Sequence, residues 1–120
     1  MIPRELNKLL VLEFPELKET FKEETSWQEG MDTGSFIVFE DVFIPYLEMC
    51  IINDKASQIE KIYSFIEKLS KIDDEYVENI VTVAIIENIV DHVESEKYAK
   101  YLKPNSKKIY DSYITNLKEK

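Results

Sequence analysis

The stretch "GSFIVFEDVFIPYLEMC", residues 34–50, decides how the whole chain is read. It is the most aromatic passage of the sequence, it begins with one of two glycines, and it holds Pro45 in its middle. As a strand it fails, because apolar residues would have to alternate and "FIVF" followed by "VFI" does not alternate across Glu40 and Asp41. As a helix it fits: Phe36, Phe39, Phe43, Tyr46 or Leu47, and Cys50 recur three and four apart. Pro45 removes one backbone donor and turns Ile44 away from helical angles. Either the regular helix starts near Asp41 or Pro45, with Asp41 as cap after an irregular apolar lead-in, or it kinks.

Working outward, the same spacing recurs. Pro3 fits the first turn of a helix whose stripe is Leu6, Leu9 and Leu10. Pro15 opens a second helix through about Gln28, thinly apolar and so a surface element, which Gly30 ends with a left-handed residue. Asp54 caps "KASQIEKIYSFIEKLSK", with Ile59, Ile62, Tyr63, Ile66 and Leu69 on one face. Asp73 caps "DEYVENIVTVAIIENIVDH", apolar nearly all round in its middle and therefore the central helix. Helices over about 94–102 and 105–118 follow, separated by Pro104. The reading is a single all-α domain over 1–120, a compact bundle of six or seven helices. The pair 55–71 and 73–92 has HEAT- or armadillo-like hairpin character, without a second copy at that period.

Composition agrees. Two glycines and four prolines are too few for the tight turns of a sheet-rich domain. Cys50 is alone, which excludes an internal disulfide and fits a reducing, cytoplasmic setting. "MIPRELNKLL" lacks the apolar core of a signal peptide, and no apolar run is long enough to span a membrane.

The net charge of −9 is segregated along the chain. Residues 1–54 and 73–96 carry −8 each, the latter without one base, whereas 55–72 carry +2 and 97–120 carry +5. Such a chain suits neither nucleic acid nor an anionic membrane. Basic proteins are its electrostatic match.

Motifs of catalysis are missing. His92 is the single histidine, and at a helix end its imidazole suits the negative pole of the dipole. One histidine and one cysteine are too few for zinc, and there is no phosphate loop, nucleophile elbow or metalloprotease signature. The expectation is a non-enzyme with no metal and no cofactor. Candidates for partner binding come from charge and aromaticity. Asp73, Asp74 and Glu75 are explained by the helix dipole alone. Glu87, Asp91 and Glu94, four and three apart, share one face at the unfavourable end, where like charges repel by roughly a few tenths of a kcal/mol. Trp27, on a poorly apolar helix beside a glycine turn, is a candidate anchor, with Asp32 in the loop after it.

The segments "EFPEL" (13–17), Trp27 with Asp32-Thr33-Gly34, "DVFIPYL" (41–47) and "DDEYV" (73–77) resemble an uncharacterised family of small acidic bacterial helical domains. Trp27, Asp32, Gly34, Asp41, Pro45 and Tyr46 match its pattern, and Gly34 has a structural reason in a backbone angle open to glycine. Domains of this kind resemble immunity proteins, which bind and block a bacterial toxin. The resemblance implies a toxin-neutralising protein whose acidic helical surface covers a basic toxin domain; the other reading is a non-enzymatic scaffold or adaptor that binds a peptide or protein segment.

Overall fold

Pro3 supplies the first residue of α1 (Pro3–Glu13), and the Glu5 carboxylate accepts the Ile2 N–H at 2.9 Å to satisfy one of the free amides of that end. The computed structural model, which describes residues 1–118, buries Leu6, Asn7, Leu10 and Val11 of α1. Phe14 breaks the helix, and a 3-10 turn (Pro15–Leu17) leads straight into α2 (Lys18–Thr25). That helix stops short of Gln28, because residues 26–29 form turns before a second 3-10 turn (Gly30–Asp32). Gly30 has the expected left-handed φ of 57°.

The stretch that opened the sequence reading is helical from its first serine. Ser35–Val38, Phe39–Phe43 and Ile44–Ile52 follow one another without a break and form α3, residues 35–52. No irregular lead-in precedes Pro45. The helix instead widens into a π-turn over Phe39–Phe43, where the Ile44 N–H reaches back to Phe39 O. This wide turn lies just before the proline, where an α-helical carbonyl would meet the pyrrolidine ring and find no donor. Phe39, Phe43, Leu47 and Cys50 are buried as the spacing predicts, but Phe36 lies on the exposed side, 38% accessible.

The α3 C-terminus closes in a Schellman motif: the Lys55 N–H donates to Cys50 O (2.9 Å) and the Asp54 N–H to Ile51 O (3.2 Å). Asp54 occupies the left-handed position, φ 51°, so it ends α3 and does not cap the next helix. Helix α4 (Ala56–Ser70) has no side-chain cap and buries Ile59, Ile62, Tyr63, Phe65, Ile66 and Leu69.

Residues 71–74 connect α4 to the central helix, and the cap is Asp74, not Asp73: its carboxylate accepts the Val77 N–H at 3.1 Å. Glu75–Asn79, Ile80–Ile86 and Glu87–Asp91 run on as α5, residues 75–91. Its middle, the β-branched run "IVTVAII", is again a π-turn, with the Glu87 N–H on Thr82 O. Branched side chains crowd one another at α-helical spacing, and a wider turn relieves that. The two π-turns pack on each other inside the core. Short α6 (Ser95–Ala99) and long α7 (Pro104–Lys118) complete seven helices, with no strand among the described residues. None of these helices is long and apolar enough to cross a membrane.

Phe14 lies at the centre of an aromatic cluster, edge-on to Phe65 at 5.4 Å and against Phe43 at 6.2 Å. Tyr63 of α4 is fully buried, and its hydroxyl donates to Tyr98 O at 2.7 Å. That bond fastens α6 to α4.

Candidate functional site

The loop between α2 and α3 carries two of the predicted binding residues and is tied down from three sides. Arg4 of α1 grips the Asp32 carboxylate with two parallel bonds, Nε to Oδ1 and the terminal nitrogen to Oδ2, both 2.8 Å. This bidentate geometry holds the Asp32 carboxyl below its ordinary range. Asn7, wholly buried, donates to the carbonyls of Met31 (2.9 Å) and Thr33 (2.7 Å) and accepts from the Ser35 hydroxyl (2.8 Å). From the other side the Tyr76 hydroxyl accepts the Ser35 N–H at 3.0 Å. Asp32 is thus occupied within the fold.

Gly34 is a correction. Its φ of −53° is open to any residue, and an added Cβ would meet nothing within 4 Å. Neither its backbone angle nor close packing requires glycine at this position.

Trp27 stands on this anchored loop with 92% of its surface accessible. Glu23, Glu24 and Glu29 of the same segment are exposed too. A tryptophan left in water forgoes a large burial gain.

The acidic triplet is not one face. Helix α5 ends at Asp91, His92 is extended (ψ 138°), and Glu94 precedes α6 and pairs with Lys97 at 3.4 Å. Glu87 and Asp91 remain neighbours and lie beside Tyr113 of α7; burial, then these two carboxylates, raises that phenol's pKa. Glu94 instead belongs with Tyr98 and Glu48 around His92. His92 is half-buried and less solvated than its place at a helix end suggests: Nε2 is 3.5 Å from Glu48, Nδ1 accepts the Glu94 N–H at 3.0 Å, and the ring lies 4.3 Å from Tyr98. The accepting Nδ1 places the neutral ring's proton on Nε2, facing Glu48. Among the described residues no three His, Cys, Asp or Glu side chains converge in the manner of a metal site.

Two further residues were not singled out from the sequence. Glu67 of α4 is 7% accessible and accepts from the N–H groups of Asn105 and Ser106 and from Asn105 Nδ2, all at 2.9 Å. It is the N-terminal cap of α7, supplied from another helix. Burial pushes its pKa up, but the amide bonds outweigh burial and hold it at about 2. An acid four residues after Tyr63, on the apolar face of α4, is the signal that could have found it. The second is Glu16, which accepts a short hydrogen bond from the Tyr46 hydroxyl. It joins "EFPEL" to "DVFIPYL", just as Ser35 and Tyr76 join Asp32-Thr33-Gly34 to "DDEYV". The quoted segments therefore meet in space, through contacts that build the fold.

A model of the DUF7674 family, a domain of unknown function, matches residues 7–118. The chain belongs to that family. No curated protein and no solved structure matches it. The DUF7674 match takes in α2 to α7 and α1 from Asn7 onward, leaving Arg4 outside it.

Proposed function

We propose that this domain is an immunity protein: a cytoplasmic, non-enzymatic binder that captures a basic toxin domain and blocks it. The observation that carries the reading is Trp27, nearly fully exposed in the turn that leads into the loop held by Arg4 and Asn7, in a segment that also exposes Glu23, Glu24 and Glu29. An exposed aromatic in an acidic segment suits a cationic partner, since the ring face attracts ammonium or guanidinium groups and the acids steer them in. The toxin as partner follows from the resemblance to immunity proteins. The test is capture of partners from a lysate of the native host on immobilised protein, with Trp27→Ala as comparison. A basic partner lost by the variant, whose toxicity co-expression suppresses, supports the reading. A partner held equally by Trp27→Ala, or one that is not toxic, sinks it.

The adaptor reading has one observation in its favour. Of the α7 side chains only Ser106 is buried, so the stripe of Ile109, Tyr110 and Tyr113 is half-covered and open to a peptide or protein segment.

A further inference from the structure

The lysines left out of the acidic reading converge on a different surface. Lys68 and Lys71 end α4, and Lys103 comes to meet them just before α7, which Glu67 fastens to the same helix. Together with Ser64 and Glu67 they line an open depression of about 370 Å³. Among the described residues neither Lys68 nor Lys71 has a carboxylate within ion-pairing distance, whereas Lys103 is held by Glu60 at 2.9 Å. The one acid in the depression, Glu67, is already committed to the α7 amides. One turn back along the α4 surface, the Lys61 ammonium sits 5.1 Å over the Phe14 ring. The result is a positive strip on a protein of net charge −9.

We propose that this depression binds an acidic polypeptide segment in extended form, whose carboxylates at every second residue face the lysines. Lys68 in the last turn of α4 and Lys71 at its C-terminal cap both line the depression, so two carboxylates on one side of an extended segment can face them. The lysine stems supply aliphatic surface in the depression, against which the methylene groups of the acidic side chains can lie. A nucleic acid backbone offers no such groups, and its long rows of phosphates are repelled by the rest of the molecule. This inference is independent of the toxin reading. It uses a different face and the opposite charge.

The experiment is fluorescence anisotropy of a short labelled peptide alternating glutamate with leucine, titrated with the whole protein at low and physiological salt. A glutamine–leucine peptide and a short DNA duplex serve as comparison probes. Binding of the acidic peptide should exceed that of the neutral one and weaken with salt. It should fall about tenfold in Lys68→Gln/Lys71→Gln, two exposed ion pairs' worth. Lys18→Gln/Lys22→Gln on α2 should bind as wild type does. Circular dichroism of each variant confirms the fold. Equal binding of both peptides, equal loss in the α2 variant, or preference for the duplex would overturn the proposal.

Discussion

Glu67 on α4 accepts the backbone N–H of Ser106 on α7 at 2.9 Å, across 39 residues of sequence. A helix end normally caps itself, but here the cap comes from another helix, so closing the α7 terminus and docking α7 are one event.

The pH dependence of stability follows from this contact. The Glu67 carboxyl lies at about 2 in the folded chain against an ordinary 4.5, so the folded state favours the ionised form. That contribution is fully present above pH about 4.5 and disappears as pH falls through about 2. It amounts to about 3 kcal/mol. In Glu67→Gln it should be missing, so urea-unfolding curves of variant and wild type, well apart at pH 7, should converge toward pH 2. A pH-independent gap would show that the charge of Glu67 does not hold α7.

Asp54 stands in a left-handed conformation that glycine adopts without a steric cost. Asp54→Gly should raise stability by about 0.5–1 kcal/mol, read from the urea midpoint. A loss instead would mean that the Asp54 side chain contributes more than its backbone angle costs.

At the next helix two adjacent acids separate. Asp74→Ala removes the bond to Val77 N and should cost about 0.5–2 kcal/mol, while Asp73→Ala should stay within about 0.5. Thermal melts of the pair suffice. A larger loss in Asp73→Ala than in Asp74→Ala would return the cap to Asp73.

Asn7→Ala should strip the Met31 and Thr33 carbonyls and the Ser35 hydroxyl of their buried partner, at about 2–4 kcal/mol for the set. Because Trp27 is the chain's single tryptophan, the loop reports on itself. Wild-type emission should be that of a water-exposed indole, readily quenched by acrylamide, with high anisotropy that falls in Asn7→Ala. Anisotropy unchanged by the variant would mean that Asn7 does not fix the loop.

Helix placement was largely legible because it depends on apolar spacing, and spacing survives local detail. What escaped lies where a local rule met a tertiary alternative. Pro45 argues for a helix boundary on local grounds, but a π-turn a few residues upstream admits it within a continuous helix. Asp54 and Asp73 both read as caps by residue type; only the backbone course places one in a left-handed helix ending and gives the capping bond to Asp74. Glu87, Asp91 and Glu94 share a face only while the helix lasts, and it stops at Asp91. Asp32 looked available for a partner because Arg4, 28 residues earlier, gives no sign in the sequence of reaching it. The exposure of Trp27 has the opposite origin: its segment offers no apolar face to bury it.

The two π-turns also bear on how relatives of this chain are to be aligned. A π-turn is an α-helix with one residue inserted, and removing that residue restores ordinary winding. Every residue downstream would otherwise be rotated by roughly 100° about the axis. In α3 the turn at Phe39–Phe43 therefore sets the direction in which Leu47, Cys50 and Ile51 face. A relative lacking one residue there would keep those three inward only by winding the segment as plain α-helix. A single-residue gap inside a helix, ordinarily a sign of misalignment, would in these two places be the correct one.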